Sequence, residues 1–395
     1  MRIKVSAPIV LILLLACVLA LKFNTRLAAA EPTTWIVDDD GPADFHTIQE
    51  AINAAISGDT IYVKAGTYDE RITIGKTLTV VGESRDEVVI TRNVEEIPAI
   101  VNIEAYNVTF SGFTVQGNRS APSLGGIAGG FNSTVVNNKV INCFWGLGTF
   151  NRCNFSYNIL TNNLRGVYMT GGEEVFVSHN EIYSNGGGIY LYEVDNAVIQ
   201  ENRFYNNSVG VGGLYNGPGG NMSIVENVFT LNGAGIYCYG NPFWHLVVYH
   251  NDFIDNSVAV AEPPPPDLYE STWDDDYPSG GNYWSDYSGV DAYSGLYQNE
   301  TGRDGIGDTP YVIDEYNIDR YPLMTAYPPI QGDVNSDGKV RVDDILTIAL
   351  AFGSDYGDPK YEPILDINGD LKIRVDDLLT AVGNFGKGSS DPCQC

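Results

Sequence analysis

A chain of 395 residues with 44% hydrophobic content is long enough for two or three folded domains. Its 50 acidic residues against 22 basic ones give a formal net charge of -28, which excludes nucleic acid and anionic membrane surfaces as partners. Much of the acid sits in short Asp/Asn clusters, the hard oxygen donors that calcium takes, and not in the scattered pattern of a halophile-type surface.

The chain opens on a basic tetrapeptide containing Arg2 and Lys4, an apolar run over residues 5–21, and small residues ending at Ala30. This is the pattern of an export signal over residues 1–30, cleaved before Glu31. Cys17 closes a lipoprotein-like box, but cleavage there would leave residues 18–21 as an apolar stub. After signal removal no segment is long and apolar enough for a transmembrane helix, so the protein is expected to be secreted or displayed at the cell surface, as a monomer. Cys143, Cys153, Cys238, Cys393 and Cys395 are an odd count outside the signal, with no zinc-site spacing. Seven glycosylation sequons, at Asn107, Asn118, Asn132, Asn154, Asn206, Asn221 and Asn299, fit an exported surface.

Asp38, Asp39, Asp40 and Gly41 precede a stretch of helical spacing over residues 47–55, placed to cap the open end of a stacked array. The array itself is a repeat. Asn138, Asn158, Asn180, Asn202, Asn227 and Asn251 recur at 20 to 25 residues, each preceded three residues earlier by Val135, Phe155, Val177, Ile199, Ile224 or Val248. Five residues after each stands Cys143, Asn163, Asn185, Asn207, Asn232 or Asn256, and a Gly-apolar strand begins at Gly166, Gly188, Gly210 and Gly235. Each period reads as one coil of three short strands; stacked coils bury the apolar columns, and Asn side chains bond one another at the turns. The predicted fold is mainly β, a right-handed parallel β-helix over residues 34–262 with coils of about 22 residues. This part resembles the pectate-lyase-like superfamily, and within it the NosD-like branch, which includes periplasmic copper-binding proteins, surface proteins and carbohydrate-acting proteins.

Residues 263–328 begin with Pro263 to Pro266, a stiff spacer, and continue with aromatic and acidic residues around Trp273, Trp284 and Tyr311. This segment resembles the element that closes NosD-like β-helices and is expected to cap the C-terminal end. Asp286, Asp304 and Asp308 are its candidate calcium ligands, or else turn caps.

Residues 331–388 carry a duplicated twelve-residue loop, each copy followed by a short apolar helix ending in Phe-Gly. The first supplies Asp333, Asn335, Asp337, Lys339 through its carbonyl, and Asp344; the second supplies Asp366, Asn368, Asp370, Lys372 and Asp377. Leu371 stands where the first loop has Gly338, and Arg341 and Arg374 occupy the ninth positions. The pair resembles a dockerin type I domain, a small helical EF-hand-like module with Ca2+ as its cofactor. That resemblance implies a cohesin-type scaffold module as partner, recognised through Val342, Asp343, Val375 and Asp376; the alternative is an intramolecular calcium staple. Residues 389–395 read as a tail.

For a polysaccharide partner the candidate surface is a row of tyrosines, Tyr168, Tyr190, Tyr192, Tyr237 and Tyr239, alternating with buried apolar residues, whose faces suit stacking of sugar rings. The alternative is a structural aromatic ladder. No acid cluster with His and Arg-x-Lys neighbours marks a hydrolase. Arg165 and Lys139 are the candidate lyase bases, and neither lies in an acidic nest. His179, Glu201, Glu226 and His250, with Tyr157, precede successive ladder asparagines and form a candidate metal or carboxylate column, or solvated turns. The expected function is thus polysaccharide binding combined with docking to a scaffold. A polysaccharide lyase or glycoside hydrolase, and a copper-handling surface protein lacking Met- and Cys-rich ligand sets, are the alternatives.

Overall fold

The computed structural model describes residues 31–395 except 93–98, 119–123, 149–150, 216–220, 239–245, 262–270, 328–330, 336–338, 356–357, 369–371 and 388–395. The proposed signal, the Pro263 to Pro266 spacer, Tyr239, Asp337, Asp370 and the cysteines of the tail lie outside the described residues.

Three parallel sheets of ten, ten and nine strands run the length of a right-handed β-solenoid. Each coil contributes one strand to each: sheet 1 (such as Phe176–Ser178), then sheet 2 (Glu181–Tyr183), then sheet 3 (Gly187–Tyr192). Val135, Phe155, Val177, Ile199, Ile224 and Val248 stack without register slip and are fully buried, as the repeat requires. A second interior column is aromatic: Phe204, Phe229, Phe253 and Trp284 stack with ring centroids 4.7, 5.1 and 4.5 Å apart.

The corners explain the polar half of the repeat. Between sheets 1 and 2 the chain turns through a residue with φ near +55°, then a buried Asn. That Asn takes the backbone N–H of the preceding coil's Asn on its Oδ1, at 2.9–3.1 Å from Asn138 through Asn282. A parallel ladder between sheets 2 and 3 runs from Cys143 through Asn163, Asn185, Asn207 and Asn232 to Asn256 at 2.8–3.0 Å. Buried backbone groups that no strand satisfies find their partners here. At Gly146, Gly166, Gly188, Gly210 and Gly235 an added Cβ would meet the next coil's carbonyl oxygen at 2.3–2.7 Å, so only glycine lets the coils close up.

Both ends are covered. Helix α1, Ile48–Ala54, buries Ile48, Ala51 and Ile52 against the first coils. Its N-terminal N–H groups at Ile48 and Gln49 go to the Glu70 carboxylate at 2.8 and 2.9 Å, and Lys76 Nζ donates to the carbonyls of Ile52, Asn53 and Ala55. Charge therefore opposes the helix dipole at both ends. At the other end Tyr283–Trp284 adds the last rung to sheet 2, and the Asn ladder stops on Asp319, whose Oδ2 accepts from Asn282 N and Trp284 Nε1, both at 2.8 Å.

Beyond this closing segment, helices α2 (Val342–Ala351) and α3 (Val375–Gly383) pack on each other around Val340, Ile348, Ile373 and Ala381. The two loop–helix units are related by a local pseudo-two-fold: Val340 exchanges backbone bonds with Gly386 and Lys387, and Ile373 does the same with Gly353 and Ser354.

Candidate functional site

Sheet 3 presents its outer face to solvent and carries the aromatic residues. In register, Gly148, Tyr168, Tyr190, Gly212 and Tyr237 form one column; Trp145, Arg165 and Gly187 form the next; Thr170 and Tyr192 lie in a third. The tyrosine row of the sequence is thus two columns, with Gly212 interrupting the first. Tyr192 is partnered across the strands by Thr170, and its ring lies 6.5 Å from that of Tyr190 and edge-on to that of Tyr168 at 6.0 Å. The rings also recline. Tyr190 lies over Gly187 and Trp145 over Gly125, each ring occupying the space a Cβ would need there. Trp145, Arg165, Tyr168, Tyr190, Tyr192 and Tyr237 are all half-buried.

Arg165 completes this ribbon. Its guanidinium lies 4.4 Å from the centroid of Tyr168 and 5.2 Å from that of Tyr190. Burial pushes the Tyr190 hydroxyl up from its ordinary pKa, with Tyr192 adding to the shift and Arg165 opposing it. Sequence reasoning placed Arg165 only as a candidate base and did not single out Trp145. Both are three residues upstream of the Gly148–Tyr168 column, a position whose identity changes from coil to coil. Lys139 belongs elsewhere: it is on sheet 2, 4.0 Å from Asp86.

The His/Glu column proves to be the left-handed position of the first corner, with φ of 54–57° at Tyr157, His179, Glu201, Glu226 and His250. The structure does not bring the four polar residues together. Tyr157 stacks on His179 at 4.7 Å, His179 Nε2 pairs with Glu201, and Glu226 accepts from Gln200 at 2.9 Å. His250 is buried under the closing segment, stacked on Tyr327 at 4.0 Å with Nε2 3.1 Å from the Ser279 carbonyl. Among the described residues the only convergent trio of potential ligands is Asp38, Asp39 and Asp40, of which Asp38 accepts from the Gly41 N–H and Asp39 from the Thr67 N–H.

Asp286, Asp304 and Asp308 do not converge either. Asp308 accepts from the N–H groups of Ala292 and Tyr293, Asp304 from Ile306 N–H and Gln298, and Asp286 from the Tyr311 hydroxyl. Each thus has its own set of partners.

In the duplicated loops the twelfth residues are fully buried. Asp344 accepts from the N–H of Val334 and Asn335 on Oδ1 and of Arg341 on Oδ2, at 2.8–3.2 Å. Asp377 repeats this with Ile367, Asn368 and Arg374 at 2.8–3.3 Å. Asp333 and Asp366, the first positions, are also buried. Asn335 and Asn368 donate through Nδ2 to Asp343 and Asp376, at 2.9 and 2.7 Å, so the amide atom suited to a hard cation is the oxygen. Arg374 turns out of its loop to Asp355 and the Ser354 carbonyl. Carboxylates buried at both ends of an oxygen-lined loop fit a divalent cation.

The helix starts Val342 and Val375 are exposed, and they head a longer apolar stripe. Val342, Leu346 and Leu350 on α2, and Val375 and Leu379 on α3, all point outward, with Phe352 and Phe385 after the two helices. Sequence reasoning singled out only the first residue of each stripe. The four-residue spacing, repeated 33 residues later, was the available signal.

A right-handed parallel β-solenoid with an exposed ribbon of rings defines the class of this protein. The family model described as "Periplasmic copper-binding protein (NosD)" matches residues 52–289, more than half of the chain, and the chain belongs to that family. It is also 33% identical over 93 residues to a probable pectinesterase/pectinesterase inhibitor 6 of Arabidopsis thaliana, covering 21% of this chain and 17% of that protein. A probable pectinesterase 56 of the same plant is 36% identical over 90 residues, covering 20% and 31%. The matched stretch thus spans less than a third of either relative.

Among solved structures, the A-module of a mannuronan C-5 epimerase from Azotobacter vinelandii is similar at a TM-score of 0.46 and 18% identity, covering 54% of this chain and 68% of that one. A polygalacturonase from Erwinia carotovora gives 0.45 and 14%, covering 62% and 82%. At these values neither likeness carries a statement about activity. Among the described residues no helix is long and apolar enough to cross a membrane.

Proposed function

We propose that this is an exported polysaccharide-binding protein, in which the outer face of sheet 3 takes a glycan strand and the C-terminal module attaches the solenoid to a cohesin-type scaffold. The observation that carries the first half is the ribbon of reclining rings: Trp145, Tyr168 and Tyr190, the last with Tyr192 on its own strand, stand on three consecutive coils about 4.8 Å apart, and Tyr237 follows one coil beyond Gly212. Flat, half-covered rings set on a rigid sheet lose little rotamer freedom on binding, which favours affinity. The reading is of binding and not of catalysis. Among the described residues the face has one cation and no paired carboxylates to act as acid and base.

The second half rests on the duplicated loops. Asp333, Asn335, Asp337 and Asp344, and Asp366, Asn368, Asp370 and Asp377, would hold Ca2+ with the carbonyls of Lys339 and Lys372. Bound calcium would supply the positive charge that these buried carboxylates face. The matching apolar stripes beginning at Val342 and Val375 give the partner two equivalent helix faces, beside Asp343 and Asp376. The remaining reading, handling of copper, is favoured by the family's description and by the paired His179 and Glu201.

The test is a glycan array probed with the mature protein and with Tyr168→Ala/Tyr190→Ala. Binding to one polysaccharide class, reduced at least tenfold in the double variant, supports the proposal. If no glycan binds, or if the variant binds unchanged, the sheet-3 reading fails. Equilibrium dialysis against Cu2+, with His179→Ala as control, decides for the metal reading.

A further inference from the structure

The C-terminal module is seated on the closing segment through three adjoining contacts. The Arg303 carbonyl accepts from the Ile364 N–H at 2.9 Å, and Arg303 Nε donates to the Glu362 carboxylate at 2.9 Å. Next to them Gly302, at φ +126°, has the Pro363 ring where a side chain would stand: an added Cβ would meet its Cδ at 2.9 Å. A backbone hydrogen bond, an ion pair and a close approach thus fall on Glu362, Pro363 and Ile364.

Those residues lead directly into the second loop. Pro363–Leu365 form a 3₁₀ turn, with Leu365 N–H on the Glu362 carbonyl at 3.0 Å and Asp366 N–H on the Pro363 carbonyl at 3.1 Å. Asp366 is the first position of the loop, and its Oδ2 accepts from the Tyr361 hydroxyl at 2.7 Å. Tyr361 and Leu365 are buried in the module's own core. The seat and the loop's first carboxylate therefore belong to one hydrogen-bonded unit, residues 361–366. The first loop is entered differently: Gly332, just before Asp333, packs against Ala381 of α3, within the module. Charge adds a second link. Asp304 of the closing segment lines one cavity of about 250 Å³ with Asp333 and Asp366 of the module. Three carboxylates around one cavity repel each other, and a cation held by the loops offsets that repulsion.

We infer that Gly302 and Arg303 are the intramolecular seat of the second loop, so that calcium binding there and docking of the module on the solenoid strengthen each other. The inference rests on the calcium reading of the duplicated loops. The coupling is reciprocal by linkage: calcium favours seating by the same factor by which seating favours calcium. The apolar stripes headed by Val342 and Val375 stay exposed in the seated arrangement, so the seat fixes the direction in which they are presented.

The experiment titrates the intact mature protein with Tb3+, which light absorbed by Tyr361 sensitises in the adjoining loop, and then displaces it with Ca2+. Loss of the signal in Tyr361→Phe identifies it with the second loop. Arg303→Glu is expected to weaken calcium at this loop about fivefold, the lower end of measured couplings, and the swapped pair Arg303→Glu/Glu362→Arg to recover it. Simple electrostatics predicts the opposite sign, because Arg303→Glu adds negative charge near a cation site. Small-angle scattering is expected to show a larger radius of gyration for Arg303→Glu, and for wild type after chelation. Unchanged circular dichroism and urea midpoint establish that the variants fold. Second-loop affinity that is unchanged or raised in Arg303→Glu, or that the swapped pair does not recover, overturns this inference and leaves the calcium reading standing. Absence of both terbium and calcium binding in wild type overturns both.

Discussion

Asn202→Ala tests the ladder that holds the coils in register. Asn202 is fully buried and donates through Nδ2 to Val177 O at 2.7 Å, Gln200 O at 2.9 Å and Asn227 Oδ1 at 3.0 Å. Its Oδ1 accepts from Asn180 N at 3.0 Å and Asn180 Nδ2 at 2.9 Å. Truncation leaves the buried Asn180 N–H without an acceptor, at about 2 kcal/mol, and removes four further bonds whose partners retain other contacts, at about 0.5 kcal/mol each. The expected loss is therefore about 4 kcal/mol. Urea denaturation followed by circular dichroism measures it, with Asn206→Ser as the comparator. Asn206 is an exposed turn residue in a column where Ser184 already serves, so its loss is expected below about 1 kcal/mol. A loss under about 1 kcal/mol at Asn202 would show that sheet hydrogen bonds and apolar stacking alone set the register.

Leu231 is exposed and left-handed at φ 54°, where other coils place Asn142, Asn162 and Asn206. Leu231→Asn is expected to stabilise by about 1 kcal/mol, read as a raised urea midpoint. Burial pushes the Asp252 carboxyl up to about 7, against one opposing bond from Tyr327 N–H. The folded pKa thus lies above the unfolded value of about 3.9, so the native state holds the extra proton between these limits. Stability is expected to fall as pH rises from 4 through 7, and Asp252→Asn to flatten that slope in pH-dependent melts. Chelation of calcium, or Asp344→Ala with Asp377→Ala, is expected to make residues 331–388 sensitive to protease while residues 34–260 stay resistant; mass spectrometry of a limited digest reads the outcome. Equal resistance with and without chelator would remove the calcium assignment.

The sequence disclosed the solenoid because its ladder positions admit almost one residue type. A buried corner needing both a donor and an acceptor selects Asn at 138, 158, 180, 202, 227 and 251, and a fixed period makes the column visible. The same period hid the turn column beside it. At His179, Glu201 and His250 any side chain that tolerates the left-handed conformation will do, and nearness in sequence register did not mean convergence in space. Arg165 and Trp145 escaped for the opposite reason. Their roles come from rings that recline across glycines at 125 and 187, and reclining is a property of χ angles and of the neighbouring coil, which no periodicity encodes. The acids of the closing segment, Asp286, Asp304 and Asp308, looked like a cluster because they are close in sequence. Each instead satisfies a different set of backbone, amide or hydroxyl donors.

The column of rings inside the solenoid does not end with the last coil, because Trp284 lies 4.2 Å beneath Tyr311 of the closing segment, nearly parallel to it. A fragment cut at about residue 260 would keep its coils but leave the Phe253 ring and two sheet edges open at a blunt terminus. Two such termini can meet edge to edge, and because helix α1 still covers the other end, fragments of that length are expected to associate in pairs. Recombinant boundaries for this protein therefore belong after Tyr327, where the stack is already lidded.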